Sequence, residues 1–111
     1  MPHGVIEHGG LTEEKIEQVM EAVFHGCRDS GLFLDQDIKV RAITYTSFML
    51  PSVLSSFVHV SLKIIAGRTP DQKRALSKHV FDRLCSLQLK ACSITVEVCD
   101  IDGNSYQKHE G

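Results

Sequence analysis

Apolar residues recur along this chain at two spacings, one typical of strands and one typical of helices. In the first half, short alternating runs at residues 3–7 and 38–45 predict two strands. The stretch between them predicts a helix, because Thr12 is a good N-cap and Gly31 can take the left-handed conformation that follows a helix. One side of this helix is apolar and should pack on a core: Ile16, Val19, Met20, Val23, Phe24 and Cys27.

The second half repeats the strand–helix–strand order with stronger signals. Residues 57–65 alternate cleanly, which predicts a strand with one apolar and one polar face. A turn reading A-G-R-T-P leads into a helix in which Thr69 is the N-cap, Pro70 takes the first position and Gln72 completes a capping box. A closing strand is predicted at 92–101, and the apolar side of the helix is formed by Leu76, Val80, Phe81, Leu84 and Leu87.

Two strand–helix–strand units predict one fold. Each unit joins parallel strands by a right-handed crossover, so two units make a four-stranded mixed sheet with both helices on one face. The predicted fold class is α/β, built as a two-layer α+β sandwich. We expect a single domain over residues 1–111, with repeats at about 2–46 and 57–101 and a loose polar tail at 102–111.

The sheet face away from the helices is predicted to be polar. It could simply meet water, or it could line a polar channel in a small ring of subunits. The apolar segment 48–54 between the repeats could form a subunit contact or pack on its own domain. We expect the histidine of this face to hydrogen-bond across the sheet or across a subunit interface. The polar positions are Lys39, Arg41, His59, Lys63, Thr95 and Glu97.

Charge and composition argue against several classes of function. The 111 residues carry a net charge of −2, which gives no electrostatic reason to bind nucleic acid or an anionic membrane. No apolar run reaches the ~20 residues of a membrane span, and the amino terminus does not resemble a signal peptide, so we expect a cytoplasmic protein. The four cysteines include no C-x-x-C pair, and we expect them to be small buried hydrophobes. We expect no metal site, because His3 and His8 would need further ligands.

Pro2 is the candidate for catalytic chemistry. The initiator methionine is normally removed ahead of a small residue such as proline, and its removal would leave a secondary amine at the amino terminus. An α-amino group has a pKa of about 7.7–8.0, and burial or a neighbouring cation lowers it. Such a base suits the movement of a proton from one carbon to another. The alternative is that Pro2 is an ordinary second residue.

Several segments of the chain together resemble the tautomerase superfamily and, within it, the 5-carboxymethyl-2-hydroxymuconate isomerase family. The similarity lies in the M-P-H start, S-G-L-F before the second strand, I-K-V-R within it, and F-V-H-V-S-L-K-I-I-A-G-R-T. It runs from Pro2 to about Glu97 and is weakest at 46–56. The histidine-bearing strand and the A-G-R turn are the more specific parts of the resemblance.

The resemblance implies a homotrimeric, cofactor-independent isomerase of an unsaturated 2-hydroxy or 2-oxo di- or tricarboxylic acid, in the breakdown of aromatic compounds. Pro2 would be the general base, and Arg68 would bind a substrate anion in the A-G-R turn. Arg41 and Lys39 would bind substrate from the second strand. The family pattern resembles R-x-R there, whereas this chain has Lys39 first, and lysine lacks the bidentate geometry of arginine.

Other functions stay open at the level of the sequence. A relative with the same fold could use the proline for hydration or decarboxylation of an unsaturated acid, and a third possibility is a non-catalytic oligomeric binding module. The candidate site residues could also have purely structural roles. Arg68 could cap or form a salt bridge near the second helix, and Arg41 could be a solvated strand residue.

Overall fold

The computed structural model describes residues 1–111, and its elements follow the predicted order with bounds that differ by a residue or two. A short 3-10 helix at Asp35–Asp37 was not predicted; it lies in the connection that leads into the second strand. The closing strand has the predicted bounds. The elements are β1 Pro2–Gly9, α1 Glu13–Asp29, β2 Lys39–Thr44, β3 Ser56–Ile65, α2 Pro70–Cys85 and β4 Cys92–Ile101.

The four strands form one mixed sheet in the order β2-β1-β3-β4. The β1/β2 and β3/β4 pairs are parallel, and each is connected through one helix, while the central β1/β3 pair is antiparallel. Both helices pack on the same face of the sheet and against each other. The predicted duplicated β-α-β unit and two-layer sandwich are therefore confirmed. Neither helix has the length and apolar character that crossing a membrane requires.

The predicted helix caps are present. The Thr12 side chain accepts a hydrogen bond from the backbone N–H of Lys15, and Gly31 after α1 has a φ of +71°. At α2 the Thr69 side chain accepts from the backbone N–H of Gln72, whose side chain in turn accepts from the backbone N–H of Thr69. These bonds satisfy backbone donors that have no partner inside the helix.

The core lies between the helices and the sheet, and alternate residues of β3 are fully buried in it as predicted. Two predictions of buried residues are wrong, one for Phe81 and one for the cysteines. Phe81 of α2 is 40% exposed. Of the four cysteines only Cys27 is buried, whereas Cys85 is exposed and Cys92 and Cys99 are half-buried. The apolar strand and helix residues that are 0% exposed are Ile6, Val58, Val60, Leu62, Val19, Val23, Cys27, Leu76, Val80 and Leu84.

The connection between the repeats is largely exposed. Phe48 packs edge-on against Phe57 of β3, with ring centroids 5.3 Å apart, so this part does pack on its own chain. Met49 and Val53 point into solvent and are 97% and 79% exposed. Packing on its own domain is therefore confirmed for Phe48, and a subunit contact through Met49 and Val53 stays a prediction.

The tail was expected to be loose, and this expectation is wrong for three of its residues. It contains no helix or strand beyond Ile101. Nevertheless Tyr106 is half-buried against the start of β1, and Lys108 and Glu110 form ion pairs with residues in and before β2. The tail therefore lies across the end of the sheet at which the chain begins.

Candidate functional site

A cavity of about 230 Å³ opens at the amino-terminal end of β1. The antiparallel pairing of β1 with β3 places Pro2 opposite Ile64, so the start of one repeat meets the end of the first strand of the other. The loop after α1 and the turn before α2 complete the walls. The lining is mostly apolar and consists of Met1, Leu32, Phe33, Leu34, Asp37, Ile64, Ile65 and Arg68.

The amino terminus of the chain lies in this cavity. Met1 forms part of the wall, and Pro2 next to it is fully buried. The Met1 ammonium lies 3.9 Å from the carboxylate of Asp37. Burial lowers the pKa of this amine from its usual value of 8.0, and the pairing with Asp37 opposes the shift. Three nearby cations lower the pKa further: Lys108, Lys39 and Arg68.

Arg68 is fixed in the cavity wall by two contacts. Its guanidinium donates a hydrogen bond of 2.9 Å to the backbone carbonyl of Leu32, and it lies over the ring of Phe33, 5.6 Å from the centroid. Arginine has five N–H donors, so this arrangement orients the group and leaves donors free for an anion in the cavity. No carboxylate pairs with Arg68, and the plainer role of a salt bridge near α2 is absent from the structure.

Lys39 contributes charge from the neighbouring strand. Its Nζ lies 2.6 Å from a carboxylate oxygen of Glu110 in the tail, and this contact lowers the pKa of Glu110. Lys108 lies between the carboxylates of Glu110 and Asp37, at 3.5 and 3.4 Å. The tail and the start of the sheet are thus held together by a small ionic network beside the amino terminus.

Arg41 is exposed and does not line the cavity. It lies on the helix-free face of the sheet, where it donates a hydrogen bond of 3.1 Å to Nδ1 of His3. The other ring nitrogen of His3 lies 2.9 Å from the hydroxyl of Tyr106. Burial, with Arg41 and Lys39 as further causes, lowers the pKa of His3. Arg41 is therefore linked to the amino terminus by its hydrogen bond to His3, the residue that follows Pro2.

Of the four residues singled out from the sequence, only Arg68 lines the cavity. Pro2 is buried next to Met1 of the cavity wall, Lys39 is near enough to lower the pKa of the Met1 amine, and Arg41 lies two residues further along β2. Sequence reasoning missed the wall residues after α1, and it missed the tail. A signal for the tail existed, because Tyr106 is the one tyrosine in an otherwise polar segment. No pattern in the neighbouring sequence marked Asp37, because its role is to pair with the amino terminus, which comes near it only in the folded chain.

Three of the remaining polar residues of the helix-free face are paired with each other, whereas the Lys63 side chain forms no hydrogen bond or ion pair. His59 contacts the hydroxyl of Thr95 at 2.6 Å and the carboxylate of Glu97, both on β4, so the predicted hydrogen bonds across the sheet are present. His3 and His8 lie on opposite faces of β1. No group of three or more histidine, cysteine or carboxylate side chains converges in a way that could hold a metal ion.

Comparisons with known proteins agree on a family and a fold. The model of the 5-carboxymethyl-2-hydroxymuconate isomerase family matches residues 2–110. No curated protein sequence gives a significant match. A crystal structure of a 5-carboxymethyl-2-hydroxymuconate isomerase from Deinococcus radiodurans R1 superposes with a TM-score of 0.82 at 22% identity, covering 99% of this chain and 90% of that one.

Two further solved structures have the same fold but are described as proteins of other kinds. A fused 4-OT wild-type symmetric trimer superposes with a TM-score of 0.78 at 18% identity, covering 98% of this chain and 93% of that one. A malonate semialdehyde decarboxylase inhibited by 3-bromopropiolate superposes with a TM-score of 0.75 at 13% identity, covering 97% and 89%.

Proposed function

Because the chain belongs to the 5-carboxymethyl-2-hydroxymuconate isomerase family, and so to the isomerases, we propose that it moves a double bond within an unsaturated 2-hydroxy or 2-oxo di- or tricarboxylic acid without a cofactor. The observation that carries this proposal is the burial of the amino terminus in an apolar cavity beside Arg68. A base and an anion-binding group in one partly dry site are the two parts that such a reaction needs.

Pro2 is the base in this proposal. Removal of Met1 frees the pyrrolidine nitrogen and opens the space that Met1 now fills. The environment that lowers the pKa of the Met1 amine, burial together with three cations, then acts on the Pro2 amine a few ångströms away. The neutral nitrogen takes a proton from the carbon next to the carbonyl group of a 2-oxo acid, or from the hydroxyl group of a 2-hydroxy acid, and leaves the same dienolate. The resulting cationic amine returns the proton to another carbon of the conjugated system, so the amine is regenerated.

Arg68 and Lys39 bind the negative charge of the substrate. Arg68 is oriented by Leu32 and Phe33 and offers its remaining N–H donors to a carboxylate. The same charge stabilises the dienolate that forms when the proton leaves, and interactions that strengthen in the transition state raise the rate. Lys39 binds a second carboxylate once it exchanges its partner Glu110 for substrate. Arg41 acts on this site through His3.

The proposal includes a homotrimer. A fused 4-OT of the same fold is a symmetric trimer. Exposed apolar side chains on the edge strand and in the connection between the repeats give this chain a surface that assembly would bury: Ile43, Met49 and Val53. Light scattering of the purified protein tests this part, and a monomeric mass at micromolar concentration would contradict it.

The experiment that tests the function combines intact-mass analysis with a kinetic assay. Mass analysis establishes that Met1 has been removed, and the processed protein is then assayed by ultraviolet absorbance with 5-carboxymethyl-2-hydroxymuconate. We expect Pro2→Ala to lose most of kcat and Arg68→Ala to lose both kcat and substrate affinity. Arg74→Ala, an exposed position on α2 paired with Asp71, is the matched control. Processed protein without turnover would contradict the function, and normal kinetics in Arg68→Ala would contradict the role of Arg68.

Decarboxylation is the second candidate. Six of the eight residues that line the cavity are hydrophobic, and an apolar wall next to a carboxylate disfavours its charge and so favours loss of carbon dioxide. A decarboxylase of the same fold takes malonate semialdehyde as its named substrate. Proton NMR of the processed protein with malonate semialdehyde distinguishes the candidates, because decarboxylation yields acetaldehyde and isomerisation of this substrate yields no new product.

A further inference from the structure

We infer that the hydroxyl group of Tyr106 donates a hydrogen bond to an anionic oxygen of the substrate, and that removal of Met1 frees this donor. The inference rests on the proposed function and adds a residue from the carboxy-terminal tail to its site. The observation behind it is a chain of three contacts, from Arg41 to His3, from His3 to Tyr106, and from Tyr106 to Met1.

The chemistry of the donors determines the direction of every hydrogen bond in this chain. The guanidinium of Arg41 can only donate, so Nδ1 of His3 must accept. A neutral imidazole that accepts at Nδ1 carries its hydrogen on Nε2, and Nε2 therefore donates to the oxygen of Tyr106. The neutral form is the favoured one here, because burial and the adjacent cations lower the pKa of His3.

The hydrogen of the Tyr106 hydroxyl is consequently directed away from His3. It points to the Sδ atom of Met1, 2.9 Å from the Tyr106 oxygen. A thioether sulfur is a weak acceptor. When Met1 is removed, the half-buried hydroxyl keeps the donor that orients it and loses its acceptor. Leaving such a donor unpaired is unfavourable, so the site is prepared for a stronger acceptor in the same position.

A substrate can supply that acceptor. Met1 lines the cavity that Arg68 also lines, so the space that it vacates is continuous with the cavity. An oxygen placed where Sδ now lies would be within reach of the Tyr106 hydroxyl, at the side of the cavity next to β1. Hydrogen bonds to a charged oxygen are roughly twice as strong as bonds between neutral groups. Tyr106 thus complements the cations of the site with a neutral, oriented donor.

The test uses the full-length processed protein and the two tyrosines of the chain. Tyr106→Phe removes one hydroxyl group and keeps the ring. We expect kcat/KM with 5-carboxymethyl-2-hydroxymuconate to fall by about 10- to 100-fold, the range for a lost hydrogen bond to a charged group. Tyr45→Phe is the matched control, because Tyr45 donates to Glu7 near the opposite end of β1. It should retain kcat/KM within about twofold of the wild-type value.

A double-mutant cycle tests the orienting role of His3. His3→Phe should lower kcat/KM, and the double variant with Tyr106→Phe should lose no more than Tyr106→Phe alone, since both act through one hydroxyl. Additive losses would contradict the chain of contacts. Wild-type kcat/KM in Tyr106→Phe would overturn the inference while leaving the isomerase function intact. Failure of the function itself is recognised separately, because the processed wild-type protein would then show no turnover.

Discussion

Replacement of Gly26 by alanine should destabilise the protein, although alanine is the better helix former. Gly26 lies in α1 where it crosses α2, and a Cβ atom added there would lie 2.6 Å from the backbone Cα of Val80. An ordinary contact between these carbons is at least 3.4 Å, so the helices would have to separate locally by about 0.8 Å. The obstacle is backbone, which cannot rotate out of the way as a side chain can.

The expected magnitude follows from two opposing effects. Alanine in place of glycine within a helix contributes about 1 kcal/mol of stability. Overpacking of a close-packed interface costs about 1–3 kcal/mol, and we expect the upper end because the neighbour that would have to move, Val80, is itself fully buried. The net loss is then about 2 kcal/mol, equivalent to a decrease in Tm of about 8 °C for a domain of this size.

The assay is thermal unfolding followed by circular dichroism, with all variants at one protein concentration because assembly would make Tm depend on concentration. Ala75→Gly is the matched control, since Ala75 is exposed on α2 and reports helix propensity alone. We expect it to lose about 1 kcal/mol. Both exchanges should therefore destabilise the protein. If Gly26→Ala instead raised the Tm by as much as Ala75→Gly lowered it, helix propensity would dominate, and the close approach of the two helices would be refuted.

Three further predictions concern a helix cap, a thiol and a histidine. Thr69→Ala should cost about 1 kcal/mol in the same melting experiment, because it removes the cap of α2, and an unchanged Tm would contradict this. At about pH 8 a thiol reagent should modify the exposed Cys85 well before Cys27, whose pKa burial raises to about 12, and equal rates by peptide mass mapping would be the contrary result. Burial lowers the pKa of His8 below 6.5, so stability should be complete above that pH and decline as the unfolded chain takes up a proton below it. In denaturant melts between about pH 7.5 and pH 5, His8→Gln should lose less unfolding free energy than the wild type does. His109→Gln, at an exposed position, is the parallel control. If the unfolding free energy of His8→Gln fell with pH as steeply as that of the wild type, the role of His8 would be refuted.

The elements were predictable because their signals are local. Helix caps such as Thr12 and Thr69 act on backbone groups three residues away, and strand alternation is a property of neighbouring residues. Phe81 and Cys85 show where this reasoning stops. Both are apolar residues on or at the end of α2, yet both are exposed, because burial depends on where the sheet ends beneath the helix. Periodicity gives the face of a helix and not the extent of the surface on which it packs.

The candidate site was only partly predictable, for a related reason. Pro2 and Arg68 were recognisable by their residue types in motifs that resemble a family. Tyr106 was not, since its contact with His3 joins residues 103 positions apart. A contact over such a distance depends on the path of the tail after β4, and no pattern within the tail encodes that path. The same holds for Asp37, which meets the amino terminus only because β1 lies beside β2.

By itself, the sequence determined the number, order and capping of the α-helices and strands, the duplicated architecture and the family, because these depend on residue types at short separations. Only the tertiary structure decided what surrounds the amino terminus. The antiparallel pairing of β1 with β3 brings Arg68 to the first residues of the chain, and the path of the tail adds Tyr106 and the ionic network of Lys39. The burial and the charges that lower the pKa of the amino-terminal amine come from segments far apart in the chain, and their combined effect exists only in the folded protein.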